Sequence, residues 1–379
     1  MVFPDYENSI LALPNGVLAR FGAPAHGPTL PALDAALRRH EKTLWVILDG
    51  LGSAALRRAL PEAAFLRRNA RVTVSSVFPP TTAAATASYY SGLPPVRHGW
   101  LGWHMFFEEY GADLTTFTGV DYYSGKRVLN GSPAARALPY VTLFEQLRAA
   151  GAQVKTHALC PFPAFFERGA DEARHISSFE QGLKRLEAVA AGRGPALALM
   201  YWTQPDAAMH ERGVDSPRAR DVMRDLNAAL ERLEARLGDA MLLVCSDHGL
   251  TDAPEIVELT DFPEAMDMLR RPPSLDRRCS AMFLKPGRQA DFEEWFAEHL
   301  AGDFLWIPRR EIYERRLFGP GTPHPRFEEF IGDGLVVAAG RRILDCTPKG
   351  MPARRKLIGQ HAGLTESEML TDVIWREGN

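Results

Sequence analysis

Three aspartates and three histidines stand where an α/β chain can bring distant side chains to one edge: Asp49, Asp206, Asp247, His210, His248 and His361. Asp49 directly follows the apolar run Leu44–Leu48 and precedes Gly50-Leu51-Gly52, which delivers a carboxylate at the end of a buried strand. Open α/β sheets bind ligands at that edge. Asp206 and His210 follow a second such run, Leu197–Trp202, and at four residues apart they share one face of a helix. Asp247-His248 follow a third run, Met241–Cys245, with Gly249 permitting the sharp turn that adjacent ligands to one ion require. His361 sits in the glycine-flanked loop Gly359-Gln360-His361-Ala362-Gly363. Taken singly, each has an ordinary reading: a strand-end Asp caps the next helix, and an Asp/His pair decorates a solvated helix face. Together they form an oxygen and nitrogen donor set suited to zinc or manganese, and six ligands are the number for two ions. Two divalent ions favour in-line displacement at phosphorus, one activating the nucleophile and the other neutralising the leaving oxygen.

The nucleophile must be an oxygen near those strand ends. Phe78-Pro79-Pro80-Thr81-Thr82 follows the strand Val72–Val77 and turns into Ala83-Ala84-Ala85, which predicts a helix starting near Thr82. A hydroxyl there adjoins backbone N–H groups that attract phosphate. An N-capping role suits either threonine, and local physics leaves the choice between Thr81 and Thr82 open.

The elements that must position these residues follow an α/β rhythm. Short β-branched runs (Leu44–Leu48, Val72–Val77, Val154–Ala158, Leu197–Trp202, Met241–Cys245 and Gly334–Ala338) alternate with amphipathic stretches. Ser216-Pro217 reads as an N-cap with proline at the first helical position, followed by Val222, Leu226, Leu230, Leu233 and Leu237 at helical spacing. The expected fold is a doubly wound, mostly parallel sheet with helices on both faces. From 254 to 327 prolines cluster and charges thicken, so this segment is expected to be an inserted α+β cap on a core of residues 1–253 and 328–379. Trp100–Gly131, rich in Gly, Tyr and Phe, reads as a long ordered loop near the site.

Composition narrows the class. The 379 residues carry 44 Lys plus Arg against 47 Asp plus Glu, a balance that argues against stable nucleic-acid binding. No apolar run reaches the roughly 18–20 residues of a membrane span. The N-terminus has acidic residues where a secretory signal would have basic ones, and the four cysteines form no Cys-x-x-Cys pair. A cytoplasmic location without membrane contact is expected.

The same residues resemble the alkaline phosphatase superfamily, specifically its nucleotide pyrophosphatase/phosphodiesterase branch. The resemblance rests on Leu48-Asp49-Gly50, on Phe78-Pro79-Pro80-Thr81-Thr82 continuing to Ser91-Gly92-Leu93-Pro94-Pro95-Val96-Arg97-His98-Gly99, on Asp206-x-x-x-His210, on Ser246-Asp247-His248-Gly249 and on Gly359-Gln360-His361-Ala362-Gly363, spread over about 310 residues. It implies that Asp206, His210 and His361 hold one zinc ion, and that Asp49, Asp247, His248 and the nucleophile hold the other. It also places the nucleophile at Thr82 and implies a threonyl-phosphate that water then hydrolyses. The implied substrate is a small phosphorylated molecule, a nucleotide among the candidates, cleaved at a phosphodiester or phosphoanhydride bond. Where the branch commonly carries an Asn that binds a phosphoryl oxygen, this chain has Trp103 followed by His104, so these two are the candidate substrate-binding residues, with His104 the substitute donor. Sulfatase chemistry is disfavoured because the Cys/Ser-x-Pro-x-Arg pattern is missing. The rivals are a phosphonoacetate-type C–P hydrolase, for which Lys126 is the only lysine in 101–150, a phosphomonoesterase on the same site, and a metal-dependent binding protein without turnover.

Overall fold

In the computed structural model, which describes residues 1–162, 165–348, 350–351 and 356–376, the strand Lys42–Leu48 lies at the centre of a seven-stranded sheet. Its residues are apolar on both faces, and alternate side chains feed different cores: Trp45 and Ile47 enter one, Leu44, Val46 and Leu48 the other. One core is closed by the helices Phe179–Ala190 and Pro217–Glu234, through residues such as Leu183, Leu226 and Leu230. The opposite core is closed by the helices Thr82–Ser91 and Leu143–Ala149, through Ala84, Tyr89 and Phe144. The sheet is thus covered by helices on both faces, as the rhythm of the sequence predicts. The expected cap at Ser216 is present, its side chain accepting from the Ala219 N–H.

The spatial order of the sheet is Ala70–Ser75, Leu370–Trp375, Met241–Cys245, Lys42–Leu48, Ala196–Trp202, Lys155–Cys160, Glu172–His175. All pairings are parallel except those of Leu370–Trp375, which runs antiparallel to both its neighbours. Three adjacent parallel strands therefore end together. Ile47 is in register with both Cys245 and Tyr201, so the chain emerges toward Asp49, Asp206 and Asp247 along one stretch of the carboxyl edge.

A second, antiparallel sheet has the order Phe304–Pro308, Gly334–Ala338, Cys279–Met282, Ser274–Asp276, His104–Phe107, Ala112–Thr115. Phe292, Trp295 and Phe296 of the helix Gln289–His299 pack against Val336 and Ala338 to close its own core. Gly334–Ala338 forms a strand as its sequence predicts, but in this sheet and not in the parallel one. The excursion read as a loop contributes a hairpin, His104–Phe107 with Ala112–Thr115. Four-residue strands in a glycine- and aromatic-rich stretch carry too little alternation to announce themselves.

Because Leu243 is fully buried in a central strand between neighbours on both sides, Leu243→Ala is expected to cost about 3 kcal/mol. Chemical denaturation of the variant against the parent measures it.

Candidate metal centre and cavity

Backbone contacts hold the three strand ends in one arrangement. The Asp49 N–H donates to the Trp202 carbonyl at 2.9 Å, and the Asp206 N–H donates to the Asp49 carbonyl at 2.9 Å. Gly50 N–H donates to Asp247 Oδ1 at 3.1 Å, and Ser76 Oγ donates to the Asp247 carbonyl at 2.6 Å. Gly50 has a φ of +77°, and a Cβ there would lie 2.8 Å from Asp206 Cβ and 2.9 Å from Asp206 Cα. Only glycine lets the two acidic segments approach so closely.

The side chains converge on His248. Its Nε2 lies 3.5 Å from Asp49 Oδ1, 3.5 Å from Asp247 Oδ2 and 3.2 Å from Thr82 Oγ1. The His361 ring lies 4.1 Å from the His248 ring and 5.1 Å from the His210 ring, centroid to centroid, and His210 Nε2 is 3.2 Å from Asp206 Oδ1. All seven residues expected at the site, Asp49, Thr82, Asp206, His210, Asp247, His248 and His361, are thus brought together. The ring orientations are set from behind. His210 Nδ1 is 2.7 Å from the Gly359 carbonyl and His248 Nδ1 is 3.1 Å from the Gly249 carbonyl, so each Nδ1–H is donated to backbone and each Nε2 lone pair faces the cluster.

Electrostatics favour a positive counter-charge or protonation in this cluster. Burial, then the nearby charges of Asp247 and Asp206, push the Asp49 carboxyl well above the ordinary range. Burial and the neighbouring His248 and His210 push His361 well down. For His210 burial acts downward, but the adjacent Asp206 carboxylate outweighs it and the net shift is upward. Asp49 Oδ1, Asp206 Oδ1, Asp247 Oδ2 and His361 Nδ1 are buried with no hydrogen-bond partner among the described residues. Two groups, Asp49–Asp247–His248 and Asp206–His248–His361, each offer ligand atoms within 4.8 Å of one another. Buried, unpartnered carboxylate oxygens and imidazole nitrogens in this geometry fit divalent cations.

The two threonines part company. Thr82 opens the helix Thr82–Ser91 and presents its hydroxyl to His248. Thr81, at the N-cap position, makes no capping bond; its hydroxyl donates to Asp276 Oδ2 at 3.2 Å, leaving the first helical turn without a side-chain cap.

A cavity of about 550 Å³ opens over the cluster, lined by Asp49, Thr82, Asp206, His210 and His361 on one side and walled by Trp103, Phe117, Tyr122, Phe162, Phe166 and Tyr201. Trp103 is on this wall. His104 is not: it is buried, its Nδ1 2.5 Å from Asp113 Oδ1 and its ring stacked at 3.5 Å on Tyr122. Several wall residues escaped the sequence reading, and three of them bear on the chemistry. Tyr201 donates to Asp49 Oδ2, and the adjacent pair Asp276 and Arg277 reaches the cavity from the second sheet. A tyrosine closing an aliphatic run just before Asp206 was the available signal for the first; Asp276 and Arg277 are lost in a charge-rich segment.

Residues 43–339 match the family model for type I phosphodiesterase / nucleotide pyrophosphatase. The chain belongs to that family. It is therefore a phosphoric ester hydrolase with an alkaline phosphatase-like fold, and the matched span contains every site residue above except His361. No curated protein matches the sequence. Among solved structures, human ectonucleotide pyrophosphatase / phosphodiesterase 5 is similar with a TM-score of 0.64 at 19% identity, covering 88% of this chain and 87% of that one. The murine protein, as an inactive form in complex with AMP, gives a TM-score of 0.63 at 19% identity over the same shares. Phosphonoacetate hydrolase from Sinorhizobium meliloti 1021 in complex with phosphonoacetate gives 0.64 at 19% identity, covering 93% of this chain and 92% of that one. No helix among the described residues is long and apolar enough to cross a membrane.

Gly50→Ala forces a side chain into Asp206 at a left-handed position, so it is expected to lower divalent-cation affinity at least about tenfold, as misplaced ligands do. Competition with a chromophoric chelator reads this directly.

Proposed function

We propose that this hydrolase cleaves phosphodiester or phosphoanhydride bonds by a two-step displacement in which the Thr82 oxygen attacks phosphorus. The observation that carries the reading is the Thr82 hydroxyl, 3.2 Å from His248 Nε2, facing a buried carboxylate and imidazole cluster at the floor of a cavity. In the first step a Thr82 Oγ–P bond forms, the P–O bond to the leaving group breaks, and an alcohol or phosphate departs; in the second, water cleaves the threonyl-phosphate and restores the hydroxyl. Asp206, His210 and His361 would hold one divalent ion and Asp49, Asp247, His248 and Thr82 the other, with zinc the metal best matched to the donors. When bound, such ions supply the positive charge that lowers the hydroxyl's pKa and neutralises the leaving oxygen. The uncapped first turn of the Thr82–Ser91 helix adds N–H donors for phosphoryl oxygens, a role His104 is too enclosed to take.

The aromatic wall supports an apolar or planar leaving group. This fits a small phosphorylated substrate, and a nucleotide in particular; AMP is the ligand of one structural neighbour. A phosphonate is the second reading, favoured by Arg277, the only Lys or Arg among the described residues of the cavity wall, which could meet an anionic substituent. Phosphonoacetate is the ligand of another neighbour, but Lys126 is exposed and off the wall. The four cysteines, all buried and free, support a reducing cytoplasmic setting.

Wild type is expected to hydrolyse bis-p-nitrophenyl phosphate, and Thr82→Ala to lose at least about 10³-fold in kcat/KM, as nucleophile deletions do. Retained activity in Thr82→Ala would overturn the assignment, and parallel turnover of phosphonoacetate would favour the second reading. Dialysis against a chelator should abolish turnover and lower Tm, with zinc at about 100 times its Kd restoring both and adding about 2.7 kcal/mol of stability for each ion bound.

A further inference from the structure

We infer that the buried Arg278–Glu368 ion pair is a positioning device for the metal centre, fixing the loop that carries His361 and making the second sheet part of the site. The inference rests on the cluster holding divalent cations, as proposed above.

Glu368 is fully buried and anchors chain on two sides of the cluster. Its Oε1 accepts from the Gly363 N–H at 2.8 Å, two residues beyond His361, and its backbone carbonyl accepts from the Gly249 N–H at 2.9 Å, next to His248. Thr365 Oγ1 donates to Oε2 at 2.5 Å and the Thr365 N–H donates to the same oxygen at 3.3 Å, the second bond closing the capping box of the short helix Glu366–Met369. Arg278 supplies the rest. Its Nε and Nη2 donate to the two carboxylate oxygens at 2.6 and 2.7 Å, while Nη1 and Nη2 donate to the carbonyls of Arg342 and Gly340 at 2.8 and 3.0 Å.

There is no slack around the pair. A Cβ at Gly363 would lie 2.9 Å from both Arg278 Nη2 and Glu368 Oε1, and one at Gly249 would lie 2.1 Å from the Ser367 carbonyl. Stability alone does not call for such an arrangement: a fully buried ion pair is costly to desolvate, and apolar residues of similar volume often serve a fold equally well. What apolar residues cannot do is accept hydrogen bonds from Gly363 and Thr365. The pair therefore does its specific work through the loop that carries His361, and Arg278, between the strands Ser274–Asp276 and Cys279–Met282 of the second sheet, links that loop to the carbonyls of Gly340 and Arg342 just beyond the strand Gly334–Ala338.

The test uses the full chain, zinc as the probe, Glu368→Gln, and the double variant Arg278→Met with Glu368→Leu. Zinc affinity is read by chelator competition, ligand geometry by the visible spectrum of the cobalt-substituted protein, and the fold by the Tm of the metal-free form. Glu368→Gln is expected to lower Tm sharply, since it leaves a guanidinium buried without its counter-charge. The double variant is expected to recover most of that Tm while zinc affinity stays down about tenfold or more and the cobalt spectrum stays altered. A double variant that recovers Tm and binds zinc as wild type does, with an unchanged spectrum, overturns the inference and leaves the pair a packing feature. Wild type that binds neither zinc nor cobalt overturns the metal reading itself, and this inference with it.

Discussion

The structure turns on the mutual repulsion of three carboxylates delivered to one place by three adjacent strands. Asp49, Asp206 and Asp247 leave parallel strands whose register is locked along their length, so they cannot drift apart without breaking the central sheet. Burial removes the water that would screen them. The fold thus maintains a concentration of negative charge that only cations or protons relieve, and the Nδ1 contacts of His210 and His248 to backbone carbonyls leave each Nε2 turned toward it as a donor atom for a cation. The rigidity of the sheet converts into chemical potential for metal at its edge.

The remaining site residues arrive by weaker routes and need more scaffolding. Thr82 is set by a helix N-terminus, itself tied through Thr81 to Asp276 in the second sheet. His361 comes from a loop whose pairing, Gly359–Gln360 with Thr251–Asp252, is only two residues long. Short ladders hold position poorly, which is why the surrounding side-chain bonds matter there and not at Asp49.

Much of the centre was legible because its ligands sit at the ends of apolar runs or beside glycines, both local signals. Asp49, Asp206 and Asp247 announce themselves in this way, and the parallel core follows from the same runs. The second sheet was only partly legible: Gly334–Ala338 reads as a strand, but nothing local says which sheet it joins. The choice between Thr81 and Thr82 depends on where His248 lies, 166 residues away in sequence from Thr82. Tyr201 on Asp49, Asp276 on Thr81 and Arg278 on Glu368 are likewise long-range pairings, with partners fixed by topology and not by spacing.

The cavity carries the argument from chemistry to selectivity. A monoester brings one more negative charge to phosphorus than a diester, and that charge needs a cationic partner close to the reacting oxygen. Among the described wall residues the only such side chain is Arg277, and it is bonded to Asp345 on the second-sheet side of the cavity. Trp103 adds an apolar surface to that wall. Phosphoryl charge must then be met by the centre and the helix terminus alone, while the aromatic wall contributes binding to whatever the phosphorus is attached to. Such a division favours substrates with one negative charge at phosphorus and a large, weakly polar substituent, which is the character of a diester.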